Sequence, residues 1–150
     1  MSRPASPFET ELASTLAVEI RAVFRKLKRH LRDQGKDGDL PPSQVSVVLR
    51  LDLDGSATVS SLARAEGMRP QSMSAVITSL QDAGLVIGAA DPNDGRQTLM
   101  CLTPKCLALL KEGRAARQDW LTKRISQKLS ADEQQKLQSA IRLLTKLVEE

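Results

Sequence analysis

Glycine and proline cut residues 58–103 into short pieces that have few ways to assemble. The stretch reads TVSSLARAEG, MRPQSMSAVITSLQDAG, LVIGAA, DPNDGR and QTLMCLT. Gly67 stands where a helix over about 59–66 has to stop, with Thr58 or Ser60 as its N-cap candidates and Leu62 and Ala63 facing inward. Pro70 occupies the first turn of a second helix, over 70–83, where its missing N–H costs nothing. There Met73, Val76, Ile77 and Leu80 recur at i, i+3, i+4 and i+7, which makes one buried face. Gln71, Ser72, Ser74, Ala75 and Thr78 lie on or beside the opposite face. Gly84 closes this helix and Leu85-Val86-Ile87 opens a β run. Asp94-Gly95 is a hairpin signal between that run and Thr98-Leu99-Met100-Cys101-Leu102.

Helix, tight turn, helix, then two strands joined by an Asp/Gly/Arg-tipped loop is the order of a winged helix-turn-helix. Its second helix is the right size for a major groove. The flanks are helical. Leu12, Leu16, Ile20, Phe24, Leu27 and Leu31 follow Phe8 at spacings of three and four, and the stripe ends at Gly35 and Gly38. Pro41-Pro42-Ser43 starts a shorter helix whose apolar side reads Val45, Val48 and Leu49, stopped near Asp54-Gly55. Behind Thr103-Pro104 a long helix carries Leu107, Leu110, Trp120, Leu121 and Ile125. Ser130 then opens the last helix with a capping box to Glu133, and Leu137, Ile141, Leu144 and Val148 form its stripe. Helices this long with one apolar face need something to cover it, and one small domain does not supply it.

Composition narrows the function. The chain has 150 residues, 41% of them hydrophobic, and its only aromatic residues are Phe8, Phe24 and Trp120. The core is therefore aliphatic, and the scarcity of aromatics argues against a stacking platform for single strands, which needs several. No apolar run approaches membrane-helix length and no signal peptide opens the chain, which places it in the cytoplasm, without membrane contact. Cys101 and Cys106 then read as reduced thiols packed as small apolar residues. Whether either has a redox role is left open. His30, among lysines and arginines, reads as a solvated surface histidine. With one histidine, no tyrosine, and no nucleophile elbow, phosphate loop or clustered metal ligands, no enzyme, cofactor or metal centre is expected.

Net charge is +4, from 22 basic and 18 acidic residues. It does not mark the reading head. Between 58 and 103 the basic residues are Arg64, Arg69 and Arg96, against Glu66, Asp82, Asp91 and Asp94. A winged module that mediates protein contacts without binding DNA strongly is therefore the alternative reading.

In this arrangement LQDAGLV (80–86), DPNDGR (91–96), LTPK (102–105) and LSADEQQKL (129–137) resemble the MarR family of multiple-antibiotic-resistance regulators, over nearly the whole chain. The resemblance implies a mainly α fold with a small β-hairpin wing, a winged helix-turn-helix flanked by N- and C-terminal dimerisation helices. It divides the chain into an N-terminal dimerisation helix (1–38), a DNA-binding domain (39–103) and C-terminal dimerisation helices (104–150). It implies a homodimer on a pseudo-palindromic double-stranded DNA operator, acting by default as a repressor. By the same resemblance Gln71, Ser72, Ser74 and Thr78 reach bases or phosphates, Arg69 a phosphate or guanine edge, and Arg96 the minor groove, aimed by an ion pair with Asp94. Such regulators often release DNA on binding small phenolic or anionic effectors. Arg21, Arg25 and Trp120 are the weak candidates to line such a pocket, against the plainer reading of a solvated basic face and a core tryptophan. Four positions depart from the family pattern: Arg69 replaces a capping serine, Ala75 and Ser79 replace arginines, and Cys106 replaces a glycine.

Overall fold

Each helix starts where a side chain or a proline deals with the unpaired N–H groups of its first turn. A computed structural model describes residues 6–35 and 40–150, so Gly38 lies outside the described residues. Helix α1 (Pro7–Arg32) opens on a capping box that the sequence reading missed: the Ser6 hydroxyl accepts from Glu9 N at 3.2 Å, and Ser6 N donates to the Glu9 carboxylate at 2.6 Å. The same box opens α6 (Ala131–Lys146) through Ser130 and Glu133, as expected. Between them lie α2 (Pro42–Asp54), α3 (Val59–Ala65), α4 (Pro70–Asp82), β1 (Val86–Ala90), β2 (Thr98–Leu102) and α5 (Pro104–Lys128). Thr58, not Ser60, caps α3, accepting from Ser61 N at 3.1 Å.

The two joints that aim α4 are glycine C-caps. Gly67 and Gly84 have φ of +63° and +72°, the left-handed region that only glycine enters cheaply. At each joint two hydrogen bonds close a Schellman motif. Met68 N reaches Ala63 O at 2.9 Å and Gly67 N reaches Arg64 O at 3.3 Å; Leu85 N reaches Leu80 O and Gly84 N reaches Gln81 O, both at 2.9 Å.

The chain divides into two compact units, one holding α1, the later turns of α5 and α6, the other running from α2 through the hairpin into the first turns of α5. The second unit has a continuous aliphatic core: Val47, Val48 and Leu51 of α2, Leu62 and Ala63 of α3, Met73, Ile77 and Leu80 of α4, Leu85, Val86 and Met100 of the hairpin, and Cys106 and Leu110 of α5. The strands pair antiparallel with Val86 opposite Leu102 and Ala90 opposite Thr98. Strand alternation turns Val86 inward and leaves Ile87 exposed.

Two helix faces differ from the sequence expectation. In α2 the inward face is Val47, Val48 and Leu51 while Leu49 is half exposed, because i, i+1 and i+4 here wrap around the contact with α4 and β2. In α5 Cys106, Leu110 and Gly113 face inward and Leu107, one residue round the helix from Cys106, faces out. Burial pushes the Cys106 thiol up from its ordinary value, with the Asp52 carboxylate adding to the effect, so it stays protonated as a packing group.

In the other unit neither α1 nor α6 contains a buried residue. Phe8 is 74% exposed, Leu12 50%, Phe24 53% and Ile141 52%. The α1 C-terminus meets α5 through Arg117 Nε, which donates to Leu31 O at 3.2 Å. His30 is exposed, yet its ring is not simply solvated: it stacks on Trp120 with centroids 5.8 Å apart and planes 18° off parallel.

The core contacts set a stability contrast. Leu62→Ala, at a fully buried site, is expected to lower unfolding stability by about 2–5 kcal/mol, whereas Leu53→Ala, at a site 85% exposed, changes it by less than about 0.5 kcal/mol. Urea denaturation followed by circular dichroism measures both.

Candidate nucleic-acid interface

The outward face of α4 is built by its own periodicity. With Met73, Ile77 and Leu80 buried, Gln71, Ser74, Ala75 and Thr78 fall on the far side and Ser72 beside them, all exposed. Thr78 is less available than its sequence position implies. Its hydroxyl donates to Ser74 O at 2.9 Å, leaving the oxygen only as an acceptor. Arg69 sits at the N-cap without a side-chain cap bond, so its guanidinium is not engaged by the helix it precedes.

Groups outside α4 fix its end. Thr103 Oγ1 donates to Gly84 O at 2.6 Å and Lys105 Nζ to Ala83 O at 2.9 Å. Thr103 Oγ1 also accepts from Cys106 N, capping α5. The LTPK segment thus starts α5 and closes the C-terminus of α4, where a lysine also complements the helix dipole. Sequence reading found the Thr-Pro start of α5 but not this second duty, since nothing local signals a bond across some twenty residues.

A second clamp was not legible at all. Glu66, the C-cap of α3, accepts from Arg50 Nε at 2.7 Å and from Ser46 Oγ at 2.8 Å, tying α2 to the turn that launches α4. The hydrogen bond from Arg50, followed by that from Ser46, holds the Glu66 carboxyl below its usual range and outweighs its partial burial. Arg114 and Asp52 form a further ion pair between α5 and α2.

The wing forms, but by another turn chemistry than a two-residue hairpin. Residues 91–97 make a loop closed by Asp91 N to Gln97 O and Gln97 N to Asp94 O, both 3.0 Å. Gly95 is not among the glycines with positive φ. The two aspartates instead cap main-chain N–H groups, Asp91 that of Asn93 at 2.9 Å and Asp94 that of Arg96 at 3.1 Å. This corrects the expected Asp94–Arg96 ion pair. The carboxylate shapes the backbone that carries Arg96, and the guanidinium itself is exposed with no carboxylate within ion-pair distance among the described residues.

The electrostatics of the reading head are therefore more favourable than its formal charge. Glu66 is neutralised by Arg50 and turned toward α2, and Asp91 and Asp94 serve the wing backbone. Arg64, Arg69 and Arg96 remain exposed and without ion-pair partners among the described residues.

The effector candidates lie elsewhere. Trp120 is half buried, with His30 against its ring and the Arg124 guanidinium 5.5 Å from its centroid. The cation over the indole is thus Arg124, not Arg21 or Arg25, both of which are exposed on α1.

Residues 38–97 match the sequence model of the MarR family. An HTH-type transcriptional regulator of Mycobacterium tuberculosis is 38% identical over 135 residues, covering 90% of this chain and 94% of that protein. The chain belongs to the MarR family. An uncharacterized HTH-type transcriptional regulator of Mycobacterium leprae is 36% identical over the same length and the same shares of both chains. Among solved structures, a putative transcriptional regulator of Pseudomonas aeruginosa superposes with a TM-score of 0.71 at 29% identity, over 93% of this chain and 99% of that one. A mutant of Staphylococcus aureus MepR bound to an oligodeoxyribonucleotide shares the fold, with a TM-score of 0.69 at 15% identity over 89% and 98%. This MarR-family chain is a DNA-binding transcriptional regulator of the winged helix-turn-helix type.

The Glu66 clamp sets a pH dependence. Because its folded-state pKa is depressed, Glu66 contributes stability that is present above its unfolded value, about 4.3, and is lost as pH falls through the folded value. Glu66→Gln is expected to lower stability at neutral pH and to flatten the acid limb below about pH 4.3. Thermal melts across a pH series read both effects, and an acid limb as steep as the parent's would show that Glu66 does not carry it.

Proposed function

We propose that this regulator acts as a homodimeric repressor on a pseudo-palindromic operator, with residues 39–103 as the reader and residues 1–38 and 104–150 as the dimerisation arms. The observation that carries the dimer is the bare apolar face of the arms. Phe8, Leu12 and Phe24 on α1 and Ile141 on α6 are each at least half exposed, and no residue of either helix is buried. Stripes of that length in water favour association with a second copy, since a soluble monomer seldom leaves such a surface bare. A two-fold dimer then sets paired readers on half-sites one helical turn apart, ~34–36 Å.

In each half-site α4 enters the major groove. Gln71 suits adenine, which it pairs bidentately, and Ser72, Ser74 and the Thr78 oxygen offer short contacts. Arg69 reaches a phosphate or guanine edge from the helix N-terminus. Arg96, on a wing shaped by Asp94, enters the minor groove, where a narrow A·T-rich stretch strengthens the attraction. The protein works in the cytoplasm. Release follows when a small phenolic or anionic ligand shifts the dimer toward a DNA-incompetent arrangement. The aromatic and basic cluster of His30, Trp120 and Arg124 supports that ligand class better than Arg21 or Arg25 do.

Arg96→Ala is expected to weaken binding to a duplex from the protein's own upstream region at least tenfold while leaving the dimer intact. Fluorescence anisotropy at fixed salt measures it, and unchanged affinity sinks the wing assignment. The absence of any salt-sensitive, sequence-specific shift with the parent protein favours a protein-interaction module instead. Sedimentation equilibrium is expected to return about twice the 16.4 kDa chain mass. A monomer at micromolar concentration refutes the dimer.

A further inference from the structure

The segment entering α3 runs beside the second strand of the wing. Ala57 and Met100 exchange both main-chain hydrogen bonds, at 3.2 and 2.7 Å, which fixes the start of α3 against β2. Between them lies a cleft of about 460 Å³, with Ser60 and Arg64 on the α3 side and Gln97 and Thr98 at the foot of the wing. Ser60 and Arg64 are four residues apart and share one helix face.

The chemistry of the cleft is one-sided. Beside the apolar Val59 and Met100 it offers a guanidinium, hydroxyls and an amide, and no carboxylate lines it. Arg64 is exposed and has no ion-pair partner among the described residues, unlike Arg50 and Arg114, which are paired. A cation without an ion-pair partner, beside neutral donors in a cleft that no acid lines, selects an anion. The position of the cleft indicates which anion. Gln97 directly follows Arg96, and the first helix of a helix-turn-helix crosses the DNA backbone when the second enters the groove.

We propose that this cleft binds a backbone phosphate of the DNA, with Arg64 supplying the charge and Ser60 and Gln97 the neutral hydrogen bonds. The proposal rests on the DNA-binding reading and adds a contact that fixes register without reading sequence. It also places a cation in the interface where the outward face of α4, with Ala75 and Ser79, has none.

The test is anisotropy titration of the full chain over a series of salt concentrations, on a duplex from its own upstream region and on an unrelated duplex. Arg64→Gln is expected to weaken both by a similar factor and to reduce the slope of log affinity against log salt by about 0.9 for each protomer bound. Arg64→Lys restores the slope. Ser60→Ala combined with Gln97→Ala weakens both duplexes and leaves the slope unchanged. Melting curves matching the parent's certify that each variant is folded. A full parental slope in Arg64→Gln, or a loss confined to one duplex, overturns the proposal. If Arg96→Ala weakens binding while Arg64→Gln does not, the cleft is removed and the regulator reading stands. A parent protein that gives no salt-sensitive shift on either duplex overturns both.

Discussion

Helix α4 is thirteen residues long, a length at which an isolated helix is marginal in water. Its pitch and direction therefore come from what holds it. Met73, Ile77 and Leu80 anchor one face in the aliphatic core. At its front, Gly67 makes the turn and Glu66, gripped by Arg50 and Ser46, ties that turn to α2. At its back, Gly84 makes the second turn while Thr103 and Lys105 hold the terminal carbonyls. A reading helix has to present its side chains without rearranging on contact, because ordering it at that moment would subtract from affinity. The two clamps remove that cost, and every functional side chain on α4 depends on them.

The same bonds lessen the repulsion that a reading head with more acids than bases offers a polyanion, with Asp82 the acid that stays exposed and without an ion-pair partner among the described residues. An acid near an interface repels phosphate unless something else engages it. Glu66 is neutralised by an arginine from α2, and Asp91 and Asp94 are positioned by the wing backbone they cap. The three arginines of the segment have no such ties. Net charge counts residues alike, whereas the field a partner meets depends on which charges are already matched.

Local features were legible in the sequence and cross-chain ones were not. Helix ends marked by Gly67, Pro70, Gly84 and Ser130 are set by neighbouring residues, so single-chain reading finds them; the box at Ser6 obeys the same rule and was overlooked. The face of α2 differs from the sequence expectation because Val47 and Leu49 are equally apolar, and only the packing of α4 and β2 decides which turns inward. The Asp94–Arg96 pair was read from the family pattern, but in a short loop a main-chain N–H two residues on competes with the guanidinium and wins here. The Arg50–Glu66 and Lys105–Ala83 bonds join residues sixteen and twenty-two apart, and no periodicity encodes them. Of the residues proposed to read DNA, the exposure of Gln71, Ser72 and Ser74 follows from the buried stripe alone, whereas the self-bonded hydroxyl of Thr78 is set by the folded helix.

The absence of arginine from the outward face of α4 then has a physical meaning. Arginines there would bind phosphate whatever the base sequence, raising affinity for all DNA together. With Ala75 and Ser79 in those places, the helix keeps short neutral groups whose contacts depend on base edges, and charge moves to its borders: Arg69 at the start, Arg96 on the wing and Arg64 in the cleft between α3 and the wing. Positioning and reading are thereby assigned to different side chains. In the proposed function a reader arranged this way would gain little from one half-site, so tight binding would come from engaging two at once. In the proposed dimer the bare apolar arms would supply the means, since linking two weak readers raises the second encounter to an intramolecular one.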